Sequence, residues 1–422
     1  MTKFKLGKYK IEILAIAALI ILYIFIRSLH FPEVFNFSSE QAAFAMKARQ
    51  LWDTKKIELI GPPISWRYEG RYFFQGSLTY YAIIPFLLLG GWDPIRSTYL
   101  MVLFGALMLI PLYFGARMLV SKKAAFLIAV VFTLLPFYID YSRFFWNPTL
   151  QLLFSPLVIL WMGLYNKYKK TLFLFLISFT CGILLLFHYQ YILVIMGLVV
   201  CYRLDPLLRG YDGKKFGLFL LGFLLGFSPM IIFELRNHFY NIQTLLLFIT
   251  HRDVVFPKGN GVWQIFGSYY MLSPLLFIFV GLAGRYTKLI SDKTIVVITL
   301  ALFANNLLLY VPAPQHAFGM AKDWNYPLEK KTNDIIVGQK LSNYNIVHLG
   351  YDTVATVQKY LLETRGVKGN FNDYYHNKYL FVITDEQDYM KNPSYEINTF
   401  TPNVIIQKWQ LNERYLMYLL KR

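Results

Sequence analysis

The chain has 422 residues, of which 56% are hydrophobic, 18% are aromatic and only 16% are charged. Its mean hydropathy is +0.42, and apolar runs of about 20 residues, long enough to cross a bilayer, recur along it. These values exclude an ordinary soluble domain and predict a polytopic membrane protein. The net charge is +18, but Lys and Arg lie mostly at the ends of apolar runs, which is the positive-inside pattern. The basic excess therefore predicts contact with membrane lipids and no nucleic-acid partner.

The first apolar run, from Ile11 to Ile26, predicts a retained membrane helix over about residues 11–29, because it has no small-residue cleavage site and ends in Arg27-Ser28-Leu29-His30-Phe31-Pro32. The Lys-rich segment before it predicts a cytoplasmic N-terminus. Residues 30–96 then form a first outer loop. Within this loop, the run 77–90 is short and contains Pro85, which favours an interfacial or juxtamembrane helix. If that run crossed the membrane, the later basic clusters would lie outside.

The later apolar runs alternate in direction, and their basic ends fall on one side throughout. With the first helix they predict about nine transmembrane helices, and these helices contain almost no charged side chains. The predicted later helices are 97–119, 123–140, 148–165, 171–187, 189–203, 215–234, 263–284 and 293–312.

The last part of the chain, residues 313–422, is expected outside the membrane. Strand-like runs occur at 345–349, 379–383 and 404–406, and Asp352 is a candidate N-cap for a helix over 352–365. The predicted fold class is therefore an all-α polytopic membrane protein with a small α/β extracytoplasmic C-terminal domain. The predicted domains are 1–312 and 313–422.

The first polar segment after the first helix starts like a capped helix. Ser38 and Gln41 have capping-box spacing, and Phe37 is available as a hydrophobic staple. Glu40 then lies in the first turn, where the helix dipole favours its ionised form. Such a carboxylate can accept a proton from an acceptor hydroxyl in a transfer reaction. The alternative is that Glu40 is simply a favourable first-turn acid.

Several arginines fall on the predicted outer side, against the usual cytoplasmic bias. Guanidinium groups suit phosphate oxygens, so these arginines predict a lipid-phosphate site. The alternative is snorkelling at the interface, or pairing with Asp140 or Glu234. A weak sugar-stacking role is open for Trp66 and Trp146, and His188 is either a ligand or a satisfied interfacial residue. The outer arginines are Arg67, Arg71, Arg143 and Arg236.

The segment Glu40–Arg49 resembles the Asp-Glu-Ala motif helix of polyprenyl-phosphate-sugar glycosyltransferases of the GT-C fold, including the aminoarabinose transferase-like and protein O-mannosyltransferase-like branches. The resemblance covers roughly residues 1–240 and is carried by the order and spacing of several short motifs. These motifs continue through Gly61-Pro62, Gly76, Tyr80-Tyr81, Pro85, Arg96 and Ser142-Arg143…Asn147-Pro148.

This resemblance implies inverting transfer of a sugar from a polyprenyl-phosphate donor to an acceptor glycan, lipid or protein at the outer face of the plasma membrane. Glu40 matches the catalytic base. Two departures stand out: Glu40 replaces an aspartate, and Gln41 replaces the acid that follows. The segment after Ser142-Arg143 also lacks a second carboxylate, so no cofactor is assigned and dependence on a divalent metal is doubtful. The implied donor-phosphate residues are Arg143, Arg236, Arg71 and Arg96, and the implied pocket residues are Gln41, Tyr80, Tyr81, Trp146, Asn147 and His188.

Two other functions are compatible with the sequence. A flippase or transporter for lipid-linked glycans would favour buried charges and broken helices within the membrane. A non-catalytic scaffold of the same fold would account for the missing second acid.

Overall fold

The computed structural model describes residues 6–204, 213–250, 268–385 and 394–422. Its contacts divide the chain into two compact units. The first, here called the helical unit, comprises Met1–Leu29, Leu51–Pro85 and Tyr99–Val311. The second, here called the mixed unit, comprises His30–Gln50, Phe86–Thr98 and Pro312–Arg422. The predicted domains 1–312 and 313–422 divide the chain differently, because two early segments pack with the C-terminal part.

Helices dominate the described residues, as the apolar runs predict. Most predicted helices are found within a few residues of their expected bounds. The helix Tyr240–Thr250 was not expected. In chain order the helices are α1 Leu6–Ser28, α2 Phe31–Val34, α3 Ser39–Thr54, α4 Leu78–Leu89, α5 Pro94–Leu107, α6 Leu109–Leu119, α7 Lys122–Leu134, α8 Pro136–Tyr141, α9 Asn147–Tyr168, α10 Thr171–Phe187, α11 Tyr191–Leu204, α12 Gly213–Gly226, α13 Ser228–Arg236, α14 Tyr240–Thr250, α15 Leu272–Arg285, α16 Asp292–Tyr310, α17 Tyr326–Gly338, α18 Thr356–Thr364 and α19 Tyr395–Asn398.

Four of the described helical segments are long and apolar enough to cross a membrane, and a fifth is obtained if α12 and α13 form one bent span. Five further apolar helices have 10–17 residues, and α4 is one of them. The polytopic helical fold is thus present. The count of about nine spans stays a prediction, because it requires several of these shorter helices to cross as well. The start of the predicted helix 263–284 lies outside the described residues.

Two predicted helices are broken, while the expected helix 97–119 is interrupted at a single residue, Met108, between α5 and α6. The expected helix 123–140 stops at Leu134 and restarts at Pro136, because proline has no backbone N–H to continue the helical hydrogen bonds. The expected helix 215–234 bends by 68° between α12 and α13. Irregular backbone in a membrane protein must find other hydrogen-bond partners.

Glycine brings pairs of membrane helices into close contact. A Cβ on Gly115 of α6 would lie 2.6 Å from the Cα of Leu160 in α9. A Cβ on Gly182 of α10 would lie 2.6 Å from the carbonyl oxygen of Phe223 in α12. Close backbone approach through small residues is a common way for helices to associate in a bilayer.

An antiparallel hairpin that the sequence did not predict follows α3. It consists of β1 Ile60–Tyr68 and β2 Arg71–Gly76. Side chains from the helices fix its second strand: the Asn241 amide donates to the carbonyl oxygen of Phe74 at 2.9 Å and accepts from the Phe74 amide at 3.0 Å. The Tyr189 hydroxyl donates to the same carbonyl oxygen at 2.7 Å. The hairpin is therefore an integral part of the helical unit.

The mixed unit contains a four-stranded sheet in the order β3-β4-β6-β5. The first two strands are parallel and are joined through α18, while β6 is antiparallel to both of its neighbours. Three of these strands match predicted runs, and the fourth, β6, was missed, as was α17. The strands are β3 Tyr344–His348, β4 Tyr379–Thr384, β5 Val404–Gln410 and β6 Leu416–Lys421.

Asp352 is not the N-cap of the helix in this unit, contrary to the prediction. The helix α18 begins at Thr356, and its N-cap is Ala355 in a left-handed conformation. The Asp352 carboxylate instead accepts a hydrogen bond from the Thr356 amide at 2.8 Å. Asp352 therefore still satisfies a free amide at the helix start, from farther outside the helix.

Candidate functional site

The helix α3 starts as its sequence predicts, with Gln41 completing the cap. The Ser38 amide donates to Gln41 Oε1 at 3.1 Å, and the Ser38 hydroxyl donates to the same oxygen. Gln41 is only 2% exposed, so its side chain is used within the cap. Glu40 is next to it in the first turn and is exposed. The helix start therefore presents one carboxylate to solvent in a position that favours its ionised form.

Aromatic packing within the mixed unit holds the residues that lead into α3. Phe37 is fully buried, and its ring centroid lies 5.4 Å from that of Tyr360 and 6.3 Å from that of Tyr326. One residue earlier, the Asn36 amide donates to the carbonyl oxygen of Phe318 at 2.7 Å. The position of the Glu40 helix start is thus fixed by residues from the C-terminal part of the chain.

Arg96 is also in the mixed unit. It is exposed, and its backbone amide donates to Asp93 Oδ1 at 2.9 Å near the start of α5. This leaves the guanidinium group on the surface of the unit.

The other predicted phosphate-binding arginines belong to the helical unit and differ in exposure. Arg236, in the last turn of α13, is exposed. Arg71 is half-buried, with its guanidinium carbon 5.6 Å from the ring centroid of Tyr240. Arg143 is buried; its Nη2 donates to the carbonyl oxygen of Ile26 at 3.0 Å, and its Nε has no hydrogen-bond partner. Arg67 has no described side chain.

Arg27 is a buried cation that sequence reasoning treated only as a charge at the end of a helix. Its guanidinium group donates to the carbonyl oxygens of Thr133 at 2.9 Å and Phe132 at 3.4 Å, and to Ser142 Oγ at 2.6 Å. These two carbonyls lack helical partners because of the break at Pro136. Arg27 therefore supplies the hydrogen bonds that the broken helix lost.

The expectation that the spans contain almost no buried charge is wrong. Arg27 is fully buried in α1, and Glu12 of the same helix is 6% exposed. Glu12 pairs with Arg117 at 2.8 Å and Lys122 at 3.0 Å. Both charges have several partners, which explains how they are tolerated inside the helical unit.

Three of the predicted pocket residues lie together in the helical unit. The rings of Trp146 and His188 both contact Tyr269, with centroid distances of 4.6 and 5.7 Å. Asn147 follows Trp146 and donates from its side-chain amide to Gln75 of β2. The carbonyl oxygen of His188 accepts from Gln151. The cluster combines aromatic rings with buried amides.

The two predicted pocket tyrosines have separate positions. The Tyr81 hydroxyl accepts from the Glu58 amide at 2.8 Å, so it holds the backbone that leads into the hairpin. Tyr80 is buried in α4.

Sequence reasoning predicted Asn147 but missed the glutamines of this cluster. Gln75, Gln151 and Gln190 are each at most 5% exposed. A single amide in an otherwise apolar run, as at Gln151 in Thr149-Leu150-Gln151-Leu152-Leu153, was the signal available to find them. Burying an amide without a partner is costly, so such a residue points to a polar cluster in the fold.

A second buried polar group lies in the mixed unit. Glu329 is fully buried in α17, where it accepts from Trp324 Nε1 at 2.5 Å and from the Gln358 amide. Burial raises the pKa of Glu329 to about 8, although the Trp324 hydrogen bond opposes this shift. Across the described ranges, no group of three or more His, Cys, Asp or Glu residues is placed to hold a metal ion.

Comparisons with known proteins give one clear structural likeness. No family model matches the sequence, and no curated protein matches it. The structure is similar to ArnT from Cupriavidus metallidurans in the apo state, with a TM-score of 0.61 and 11% identity over 98% of both chains. It is also similar to the same protein bound to undecaprenyl phosphate, with a TM-score of 0.56 and 11% identity over 97% of this chain and 98% of that chain. The chain therefore has the fold of ArnT, a GT-C glycosyltransferase, along nearly its whole length.

Proposed function

We propose that this chain is an integral membrane glycosyltransferase that moves a sugar from a polyprenyl-phosphate donor to an acceptor hydroxyl. The observation that carries the proposal is the likeness of nearly the whole chain to ArnT, which has also been solved with undecaprenyl phosphate bound. The exposed first-turn carboxylate of Glu40 supports it. The acceptor belongs to a glycan, a lipid or a protein.

Glu40 acts as the general base in this proposal. Its carboxylate takes the proton of the acceptor hydroxyl while the hydroxyl oxygen forms a bond to the anomeric carbon of the sugar. The bond from that carbon to the phosphate oxygen breaks at the same time, and the lipid phosphate leaves with the bonding electron pair. Attack from the face opposite the phosphate inverts the anomeric configuration. The exposed position of Glu40 allows an acceptor to reach it.

Arginines stabilise the charge on the departing phosphate in this proposal. Arg96 and Arg236 are exposed, and Arg71 is half-buried, so their guanidinium groups are open to a lipid phosphate. Arg143 is less suited, because it is buried and binds the Ile26 carbonyl. Within the helical unit we therefore assign the phosphate first to Arg71 and Arg236, and we give Arg143 a supporting role.

The distribution of basic residues supports a location in the plasma membrane, with the N-terminus in the cytoplasm. In this proposal Glu40 and the C-terminal part of the mixed unit lie outside the cell. A lipid-linked donor would reach Glu40 from the outer leaflet.

The test is transfer by the purified, reconstituted full-length protein with labelled undecaprenyl-phosphate sugars. Glu40→Gln should lower the rate by at least about 100-fold, since a general base contributes 100-fold or more. Glu40→Asp should retain part of the activity because it keeps a carboxylate. The matched control is Asp53→Asn, which neutralises an exposed acid in the last turn of the same helix. Full activity of Glu40→Gln would refute the role of Glu40.

A transporter is the second candidate, and two observations favour it. The α12–α13 pair is bent by 68°, and Arg27 is buried in a membrane helix; broken helices and buried charges are common in transporters. The same labelled donors separate the functions. Release of free lipid phosphate indicates the enzyme, movement of the intact donor across the bilayer indicates the transporter, and neither indicates a scaffold.

A further inference from the structure

Six residues of the helical unit form a connected group of contacts, here called the amide ring. Asn147 donates to Gln75, Trp146 and His188 both contact Tyr269, and the Gln190 backbone amide donates to His188 Nδ1 at 3.2 Å. Two sequence neighbours of these residues complete the ring, because the Tyr189 hydroxyl donates to the carbonyl oxygen of Phe74 at 2.7 Å. The six members are Gln75, Trp146, Asn147, His188, Gln190 and Tyr269.

Three polar atoms of this ring are buried and have no hydrogen-bond partner. They are Trp146 Nε1, Asn147 Oδ1 and Gln190 Oε1. Asn147 is 2% exposed and Gln190 is 5% exposed. The other amide atoms of these two residues are engaged: Asn147 donates to Gln75, and Gln190 donates to Gln151 at 2.8 Å. Because buried polar groups nearly always find partners, one donor and two acceptors in one ring indicate a place for a polar ligand.

The kind of unpaired atom restricts the chemistry of that ligand. The indole N–H needs an acceptor, whereas the two amide oxygens need donors. Oxygens of an ionised phosphate only accept, so they would leave both amide oxygens unpaired. Hydroxyl groups donate and accept, and they satisfy all three atoms. Aromatic rings in the same cluster provide apolar faces against which a sugar ring can pack.

The ring also lacks formal charge. None of its six members is acidic or basic except His188, and burial lowers the pKa of His188 to about 4. The His188 imidazole is therefore neutral at pH 7. A charged sugar substituent would lose its hydration in this ring without gaining an opposite charge.

We infer that the amide ring binds the sugar of the donor and selects an uncharged, hydroxyl-rich sugar. This inference rests on the proposed glycosyltransferase function and specifies its donor. Trp146 donates to one sugar oxygen, while Asn147 and Gln190 accept from sugar hydroxyls. The lipid phosphate is bound elsewhere.

Binding to full-length protein in lipid nanodiscs tests the inference with four probes. The first three are undecaprenyl phosphate linked to glucose, to glucosamine or to glucuronic acid, and the fourth is undecaprenyl phosphate alone. The glucose donor should bind most tightly of the three sugar donors. Trp146→Phe keeps an aromatic ring but removes the N–H, and it should weaken binding of the glucose donor about 3–10-fold, the value of one hydrogen bond. Binding of undecaprenyl phosphate alone should not change.

Gln190→Leu provides a second variant in case the first fails to fold, and it should give the same selective loss. Matched controls are Trp161→Phe, which lies outside the ring and packs on Phe173, and the exposed Gln243→Leu. Equal loss of the glucose donor and of undecaprenyl phosphate alone would overturn the inference. So would unchanged binding in both ring variants, which would mean that the ring holds only water.

The transfer assay keeps the two proposals separate. Selective binding of the glucose donor without transfer would support the amide ring and refute the proposed function. Transfer that favours a charged sugar would refute the amide ring and leave the proposed function intact.

Discussion

Replacing Arg27 with Met should destabilise the helical unit, because Arg27 compensates for the break at Pro136. The change removes donors to the carbonyl oxygens of Thr133 and Phe132, which have no helical partners. It also removes the guanidinium group that lies 3.4 Å from the ring centroid of Tyr23. Ser142 keeps one partner, since its hydroxyl donates to the Ile139 carbonyl at 2.8 Å.

The magnitude follows from these contacts. Each buried carbonyl left without a donor costs about 1–3 kcal/mol, and the Phe132 bond is long enough to fall at the low end. The lost cation–π contact adds about 1–2 kcal/mol in a desolvated site. Removing a buried charge offsets part of this total. We expect a net loss of about 3 kcal/mol in the free energy of unfolding.

Thermal unfolding of the detergent-purified protein measures the effect, with the exposed Arg285→Met as the matched control. Arg27→Met should lower Tm clearly more than the control does. Pro136→Ala gives a sharper test, because it restores an N–H that can bind the Phe132 carbonyl. The cost of Arg27→Met should then be smaller in the Pro136→Ala background. Equal costs in both backgrounds would refute the proposed compensation.

Two further predictions concern the mixed unit. Phe37→Ala removes a fully buried ring next to Tyr360, which typically costs about 3–5 kcal/mol in the free energy of unfolding. Both Tm and the transfer rate should therefore fall. Unchanged values would show that this packing does not support the Glu40 helix. Glu329 has a folded-state pKa of about 8, above its ordinary value, so its contribution to stability is present at low pH and is lost as the pH rises toward 8. Between pH 6.5 and 8 the free energy of unfolding of the wild type should fall by up to about 1.4 kcal/mol per pH unit, and this decrease should be absent in Glu329→Gln. Parallel curves of Tm against pH for the two proteins would contradict this.

Local patterns in the sequence predicted the elements that depend on local interactions. Apolar run length predicted most helices, and Ser38 with Gln41 predicted the cap of α3 that the structure contains. The parallel strands of the mixed unit were predicted because each contains a short strand-like run, at 345–349 and at 379–383. In each case the physical cause lies within about 20 consecutive residues.

The features that were missed depend on contacts between distant residues. The hairpin at 60–76 contains Pro62 and Pro63, which obscured its strand pattern, and Asn241 fixes it from far along the chain. Arg27 looked like an ordinary charge at a helix end, and only the folded helices reveal its carbonyl partners. The amide ring likewise joins residues from β2, from the start of α9, from the connection between α10 and α11, and from the residues just before α15. Such convergence cannot be derived from periodicity or spacing.

The discontinuity of the mixed unit affects how the chain acquires its structure during synthesis. Asn36 and its partner Phe318 are 282 residues apart in sequence. The segment that contains Glu40 leaves the ribosome early, whereas Tyr326 and Tyr360 are made much later. Contacts across such a long loop form slowly, and the early segments remain exposed until their partner residues have been synthesised. The helix α3, which contains Glu40, is therefore among the earliest parts of the chain to be synthesised and among the last to contact its packing partners.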